Sequence, residues 1–188
     1  IDVLNNLSNL KELDLNGNSI SDLTPIQHLT NLEQILLSSN NIATLPNFDT
    51  NKNLKILELN YNEITDVSKI CLNKPFPNIE NLSLSYNDIG SNENLSLLSR
   101  LTSLKKLYLT HCNIYDLSNL FHLETINDNT AVKVPALNLL YISGNHISDL
   151  SVISDLKTLN KLHASDQEIE LTTSNKKRIF NYTNPIIL

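Results

Sequence analysis

The chain has 188 residues, a formal net charge of −6 and 40% hydrophobic residues. An acidic balance argues against nucleic acid or an anionic membrane as the main partner, since both select basic surfaces. No apolar run reaches the roughly 20 residues of a membrane span, and no signal segment or lipidation motif is visible.

From the N-terminus, Leu10–Ile20 reads LKELDLNGNSI. The pattern returns at Leu32–Ile42, Leu54–Ile64, Ile79–Ile89, Leu104–Ile114 and Leu137–Ile147, and in degraded form at Leu159–Ile169. The shared template LxxLxLxxNxI is similar to the leucine-rich repeat. Its Asn slot holds Asn18, Asn40, Asn62, Asn87, Cys112, Asn145 and Gln167, with spacings of 22, 22, 25, 25, 33 and 22. A 22-residue unit has room for one strand, a turn and a tight 3₁₀ turn on the back. The expected fold is a leucine-rich repeat solenoid, a right-handed β/3₁₀ superhelix. Its concave parallel sheet has about seven strands, and a β-type cap closes the C-terminus.

Within a unit, Leu10, Leu13 and Leu15 point inward while Glu12 and Asp14 alternate outward. Asn18 turns the chain, and its amide is expected to satisfy backbone groups of the turn and of the next coil. Leu23, Ile26 and Leu29 line the back. Thr24-Pro25 marks a short helix with Thr as N-cap and Pro at its first position. Ser68, Ser96, Ser118 and Ser151 fill the same slot. Ile1, Leu4 and Leu7 align with Leu23, Ile26 and Leu29, so the chain opens inside a repeat. Either a cap precedes it or Ile1–Leu7 serves as a crude one.

Two longer units follow. Pro75-Phe76-Pro77 is expected to bring Phe76 into the core, and Gly90–Asn94 to lengthen a loop. The largest unit carries an insertion at 124–136, ETINDNTAVKVPA, read as a surface loop whose Val132 and Val134 fold back on the stack. After Ile169 the pattern stops. Residues 170–188 are read as one or two strands closing the core, with a turn at Asn184-Pro185. The division is therefore repeats over 1–165 and a cap, or the truncated start of a flanking β domain, over 166–188.

The 22-residue unit with N-x-I-[ST]-D-[LV]-[ST], plainest in NSISDLTPI, NEITDVSKI and NHISDLSVI, resembles the SDS22-like class of leucine-rich repeats. Bacterial internalins and eukaryotic phosphatase-binding regulators share this class. The tail ASDQEIELTTSN…NPI looks like the junction between internalin repeats and an immunoglobulin-like flanking domain. The long units, Cys112 in place of Asn and the lack of a helical N-cap depart from the pattern. The resemblance implies a non-enzymatic protein-binding module of a secreted or surface-attached protein, acting as a monomer. An intracellular scaffold or regulatory subunit is the alternative, and the recognition half of an enzyme with its catalytic domain elsewhere is a third reading.

Outward columns on the sheet are the candidate surface. The middle column is Asp14, Leu36, Glu58, Ser83, Tyr108, Tyr141 and His163. The one before it is Glu12, Gln34, Ile56, Asn81, Lys106, Leu139 and Lys161. The one after it (Asn16, Ser38, Asn60, Ser85, Thr110, Ser143, Ser165) is small and polar, which fits service to the turns. A sheet with one wet face should show polar residues there. Leu36, Ile56, Tyr108, Leu139 and Tyr141 break that rule, and Tyr61 and Tyr86 stand next to them at the turn. With Glu58 and His163 these are the candidate contacts for a protein partner. A charge gradient runs from Glu12, Asp14 and Glu58 to Lys106 and Lys161.

No nucleotide-binding loop, hydrolase elbow, zincin motif or paired CxxC occurs. Cys71 and Cys112 are expected as free thiols, Cys112 with looser turn packing. The five histidines have no ligand spacing, so no metal or cofactor is expected. The sequons at Asn6, Asn81, Asn94 and Asn181 are read as accidents of an Asn-rich chain.

Overall fold

The structure is a computed structural model that describes residues 1–48, 50–72, 76–121 and 136–167. Seven three-residue strands form one parallel sheet in sequence order. They are β1 (Glu12–Asp14), β2 (Gln34–Leu36), β3 (Ile56–Glu58), β4 (Asn81–Ser83), β5 (Lys106–Tyr108), β6 (Leu139–Tyr141) and β7 (Lys161–His163). The chain is a leucine-rich repeat solenoid, as its repeat predicts. The strands expected over 170–188 and the insertion, apart from Ala136, fall outside the described residues.

Strand geometry sends alternate side chains to opposite faces. Leu13, Ile35, Leu57, Leu82, Leu107, Leu140 and Leu162 therefore form an inward column, none more than 7% exposed. The hydrophobic back of each coil completes this core. Phe76 is buried as expected, and its ring centroid lies 5.5 Å from that of Phe48. Phe48 fills the slot that Ile26 holds one coil earlier, and Asn51 replaces Leu29. The Asn51 side chain is fully buried and donates to the Leu29 carbonyl at 2.9 Å.

Closing a coil buries peptide groups that the sheet cannot pair, and the ladder asparagines take them up. Asn62 accepts from the Ile42 N–H at 3.0 Å and donates to the Leu37 and Leu59 carbonyls, both at 3.0 Å. Asn40, Asn87 and Asn145 repeat the pattern, and Gln167 imitates it by accepting from Ile147 N–H and donating to Ile142 O. Each long-range bond runs to the preceding coil, not to the next one as expected. Asn18 has no earlier ladder coil before it among these repeats. Its amide donates only within its own turn, to Leu15 O and Asn16 O.

Capping also differs from expectation. Leu23, Val67, Leu117 and Leu150, none with a capping side chain, precede the short helices at Thr24–Ile26, Ser68–Cys71 (α1), Ser118–Leu120 and Ser151–Asp155. The work falls on Asp22, Asp66, Asp116 and Asp149, whose carboxylates accept from the backbone N–H two residues on at 2.7–2.8 Å. Ser68, Ser118 and Ser151 donate their hydroxyls to the second carboxylate oxygen. This is an Asx turn, and it explains the Asp in the repeat's N-x-I-[ST]-D signature. The hydrogen bonds to Thr24 hold the Asp22 carboxyl below its usual range.

Gly90–Asn94 does not lengthen a loop. Ser91 caps α2 (Asn92–Leu98) by accepting from Asn94 N–H at 3.3 Å, and this helix takes up the extra length. The two 25-residue units are those with α-helical turns on the back; the others described use 3₁₀ turns or extended chain. Asn94 bridges coils as the ladder does, accepting from Val67 N–H at 3.1 Å and donating to Thr65 O at 2.8 Å.

Cys112 is not loosely packed. It is fully buried, and its thiol lies 3.3 Å from Leu84 O. A Cβ at Gly90 would collide with the Asn113 and Cys112 carbonyls, so the bare glycine lets these coils close around the smaller side chain. Cys71 and Cys112 are both free and buried, and desolvation pushes both thiols up to about 12.

In front of the strands runs a row of alternating charge. Glu33 bridges Lys11 at 3.1 Å and Lys55 at 2.9 Å, and Glu80 meets Lys105 at 2.9 Å. These side chains are 35–70% exposed, so each pair adds little stability and chiefly avoids like-charge stacking.

Two predictions follow from this architecture. Asn145→Ala strips partners from two buried N–H and two carbonyl groups and should cost at least about 3 kcal/mol in urea titrations, against less than about 1 for Asn18→Ala; equal losses would contradict the ladder's role. A disulfide reagent at about pH 8 should find both thiols inert in the native chain and reactive once denatured; a fast native reaction would contradict their burial.

Candidate protein-binding surface

Registration across the sheet aligns the outward residues as the repeat requires. Asp14, Leu36, Glu58, Ser83, Tyr108, Tyr141 and His163 are successive partners in one column, and Glu12 to Lys161 in the other. The third column serves the turns. Asn16, Asn60, Ser85 and Ser143 each accept, through a side-chain oxygen, from the backbone N–H of the following coil's residue, at 2.6–3.2 Å.

The candidate residues fall into three groups. Tyr108, Tyr141 and His163 come together in one stack across β5, β6 and β7. Ring centroids are 4.9 Å apart for Tyr108–Tyr141 and 4.0 Å for Tyr141–His163, the latter nearly parallel at 10°. The Lys161 ammonium sits 5.6 Å from the Tyr141 centroid, a cation–π arrangement. Leu139 stands beside this stack, between Lys106 and Lys161. All three rings and Leu139 are half-buried. Burial, then Tyr141 and Glu58, raise the Tyr108 phenol, while burial and Lys161 lower the His163 imidazole.

Leu36, Ile56 and Glu58 form a second group on β2 and β3, also half-buried. Asn81 and Ser83 of β4 separate them from the aromatic stack, and β2 lies three strands, or about 14 Å, from β5.

Tyr61 and Tyr86 make a third group, away from the sheet face. They occupy the turn slot before the ladder residue, at φ 54° and 59°, and His111 fills the same slot at φ 52°. Bulky residues are rare in this left-handed region. The three rings stack at 4.1 and 4.6 Å. The position after His111 in this row is Gly144, at φ 65°, where a Cβ would collide with the His111 imidazole. His111 is not among the candidates that the sequence offers, although its position relative to Cys112 matches that of Tyr61 and Tyr86 to their asparagines. A hydrogen bond with Tyr61, reinforced by burial, raises the Tyr86 phenol. Tyr115 and His146 form one more outward stack, at 4.8 Å.

Among the described residues no group of three or more His, Cys, Asp or Glu side chains could hold a metal ion. Among the same residues no helix is long and apolar enough to cross a membrane.

Sequence profiles for leucine-rich repeats match residues 8–50, as two copies, and 50–71. No curated protein matches the whole sequence significantly. Among solved structures, internalin C2 from Listeria monocytogenes superposes with a TM-score of 0.64 at 26% identity, covering 86% of this chain and 74% of that one. A second internalin from L. monocytogenes, inlF, gives 0.56 at 23% identity over 90% of this chain and 58% of its own. A leucine-rich repeat protein from Leptospira interrogans gives 0.70 at 25% identity over 94% of this chain, which spans only 42% of that protein. The chain is thus a leucine-rich repeat solenoid similar to listerial internalins, a fold that generally serves protein interaction.

Proposed function

We propose that this chain is the non-enzymatic protein-binding segment of a secreted or surface-attached bacterial protein of the internalin kind, and that as a monomer it docks a protein partner on the outward, concave face of its sheet. One observation carries this reading: the stack of Tyr108, Tyr141 and His163 on the sheet's wet face, with Lys161 against it. Apolar and aromatic groups gathered on an outward face suit an interaction site. Tyr is enriched at interface hot spots. Stacking already restrains these rotamers, so a partner would lose little entropy in meeting them.

Leu36, Ile56, Glu58 and Leu139 extend the contact around this anchor. The acidic start of the columns (Glu12, Asp14, Glu58) and their basic end (Lys106, Lys161) favour one orientation of a partner with opposite polarity. Secretion and a host or cell-surface partner are supported by the resemblance of the chain to internalins and by a tail similar to an immunoglobulin-like junction. No observation favours the intracellular scaffold over this reading.

The test is a partner identified by crosslinking on intact cells, followed by titration of variants. Tyr108→Ala with Tyr141→Ala should weaken binding at least tenfold, about 1.4 kcal/mol or more. Loss of their stacking should lower stability by only about 0.5–1.5 kcal/mol. Unchanged affinity in a folded double variant would overturn the reading.

A further inference from the structure

The residue after each ladder position adds a second bond between coils. Asn41, Glu63, Asp88 and His146 each donate a backbone N–H to an isoleucine carbonyl of the preceding coil, at 2.8–3.1 Å. The N–H of the same isoleucine goes to the ladder carboxamide. Ile20, Ile42, Ile64 and Ile114 are thus latched through both of their backbone polar groups.

Ile89 is the exception. Among the described residues its N–H meets no acceptor and its carbonyl no donor, although the residue is fully buried. Cys112 offers a thiol where other coils offer a carboxamide, and that thiol is turned to Leu84 O. Asn113, placed to donate to Ile89 O, instead has φ 60°, the one positive φ in its slot among the described residues. The carbonyls of Cys112 and Asn113 crowd Gly90, so acceptors face the preceding coil where a donor is needed.

Asn145 draws the same turn the other way. It accepts from Cys112 N–H at 2.9 Å as well as from Ile114 N–H at 3.1 Å. The turn of the Cys112 coil is therefore bonded forward, while the backward bonds to Ile89 are missing. What joins it to the Asn87 coil is the thiol contact, the stack of Tyr86 on His111 and an exposed bond from Asn113 Nδ2 to Asp88 Oδ1 at 3.1 Å. On the sheet side the bonds are intact, with Leu84 N–H donating to Tyr108 O at 2.9 Å and Tyr86 N–H to Thr110 O at 2.8 Å. A buried peptide group without a partner favours any state that gives it one, water included.

We infer that the seam between the Asn87 and Cys112 coils is a built-in hinge, whose turn side opens without breaking a ladder bond while the continuous sheet acts as its pin. Four strands lie before the seam and three after it. Leu36, Ile56 and Glu58 fall on one side, and Tyr108, Tyr141 and His163 on the other. Opening re-angles these two groups without disturbing either. The hinge rests on the hydrogen bonding and stands whether or not the sheet face binds a partner.

Hydrogen exchange in the full native chain tests the seam at one amide per coil. After correction for intrinsic rates, the Ile89 amide should exchange at least about tenfold faster than those of Ile42, Ile64 and Ile114, because its opening breaks no bond. Cys112→Asn restores the carboxamide and should slow Ile89 toward its counterparts. Asn87→Cys should move the fast exchange to Ile64, so a second variant reads the seam if the first does not fold. Nitroxides on Thr65→Cys with Tyr115→Cys, two coils apart across the seam, should show a broader distance distribution than those on Ser21→Cys with Thr65→Cys, two coils apart on one side of it. Exchange at Ile89 within about twofold of the other three amides, or equal widths for the two nitroxide pairs, would overturn the hinge.

Discussion

Stacking coils one strand-width apart forces turn peptides into a core with no water, where an unpaired group costs about 1–3 kcal/mol. In every described coil but that of Cys112, whose thiol reaches Leu84 O, one carboxamide meets that demand. Its oxygen takes a buried N–H of the preceding coil, and its nitrogen reaches carbonyls on both coils, as at Asn62 and Asn87. The leucines supply the apolar burial, but they are not directional. The asparagine ladder sets the register in which those leucines superpose, and hence the register of everything on the outside.

That register explains why outward side chains form continuous columns. Because Tyr108, Tyr141 and His163 occupy the same position in successive strands, their rings meet without any loop to arrange them, Tyr141 and His163 face to face and Tyr108 tilted against Tyr141. The same logic stacks Tyr61, Tyr86 and His111 at the turn. Each of these three holds a left-handed backbone, a cost that the ladder bonds on either side sustain. The protein thus presents two aromatic stripes of different character. One lies on the open sheet next to lysines; the other lines the turn.

Much of this was legible in the residues. A period of 22 with leucines at fixed offsets identifies strands, inward columns and turn asparagines, because repetition removes the ambiguity of any single short apolar run. Both outward columns could be read in full for the same reason. Three things were not legible. The direction of the ladder bonds depends on how each coil sits over the last, which spacing does not encode. The capping role of Asp22, Asp66, Asp116 and Asp149 was hidden because Ser and Thr beside them are also good caps. The candidate surface looked like one patch in sequence but divides into three in space. Asn81 and Ser83 interrupt the sheet face, and the positive φ of Tyr61 and Tyr86 places their rings in a separate turn column. His111 could have been found by comparing slots, since it precedes Cys112 in the ladder as Tyr61 and Tyr86 precede their asparagines.

The asparagine ladder as organiser of the stack is tested most directly by hydrogen exchange at the amides it captures. The Ile42, Ile64 and Ile114 N–H groups donate to Asn62, Asn87 and Asn145, although none belongs to a strand. They should exchange as slowly as the Leu37 and Leu59 amides, which donate to carbonyls of the adjoining coil. Exchange at the rate of open turns, while Leu37 and Leu59 stay protected, would contradict the account.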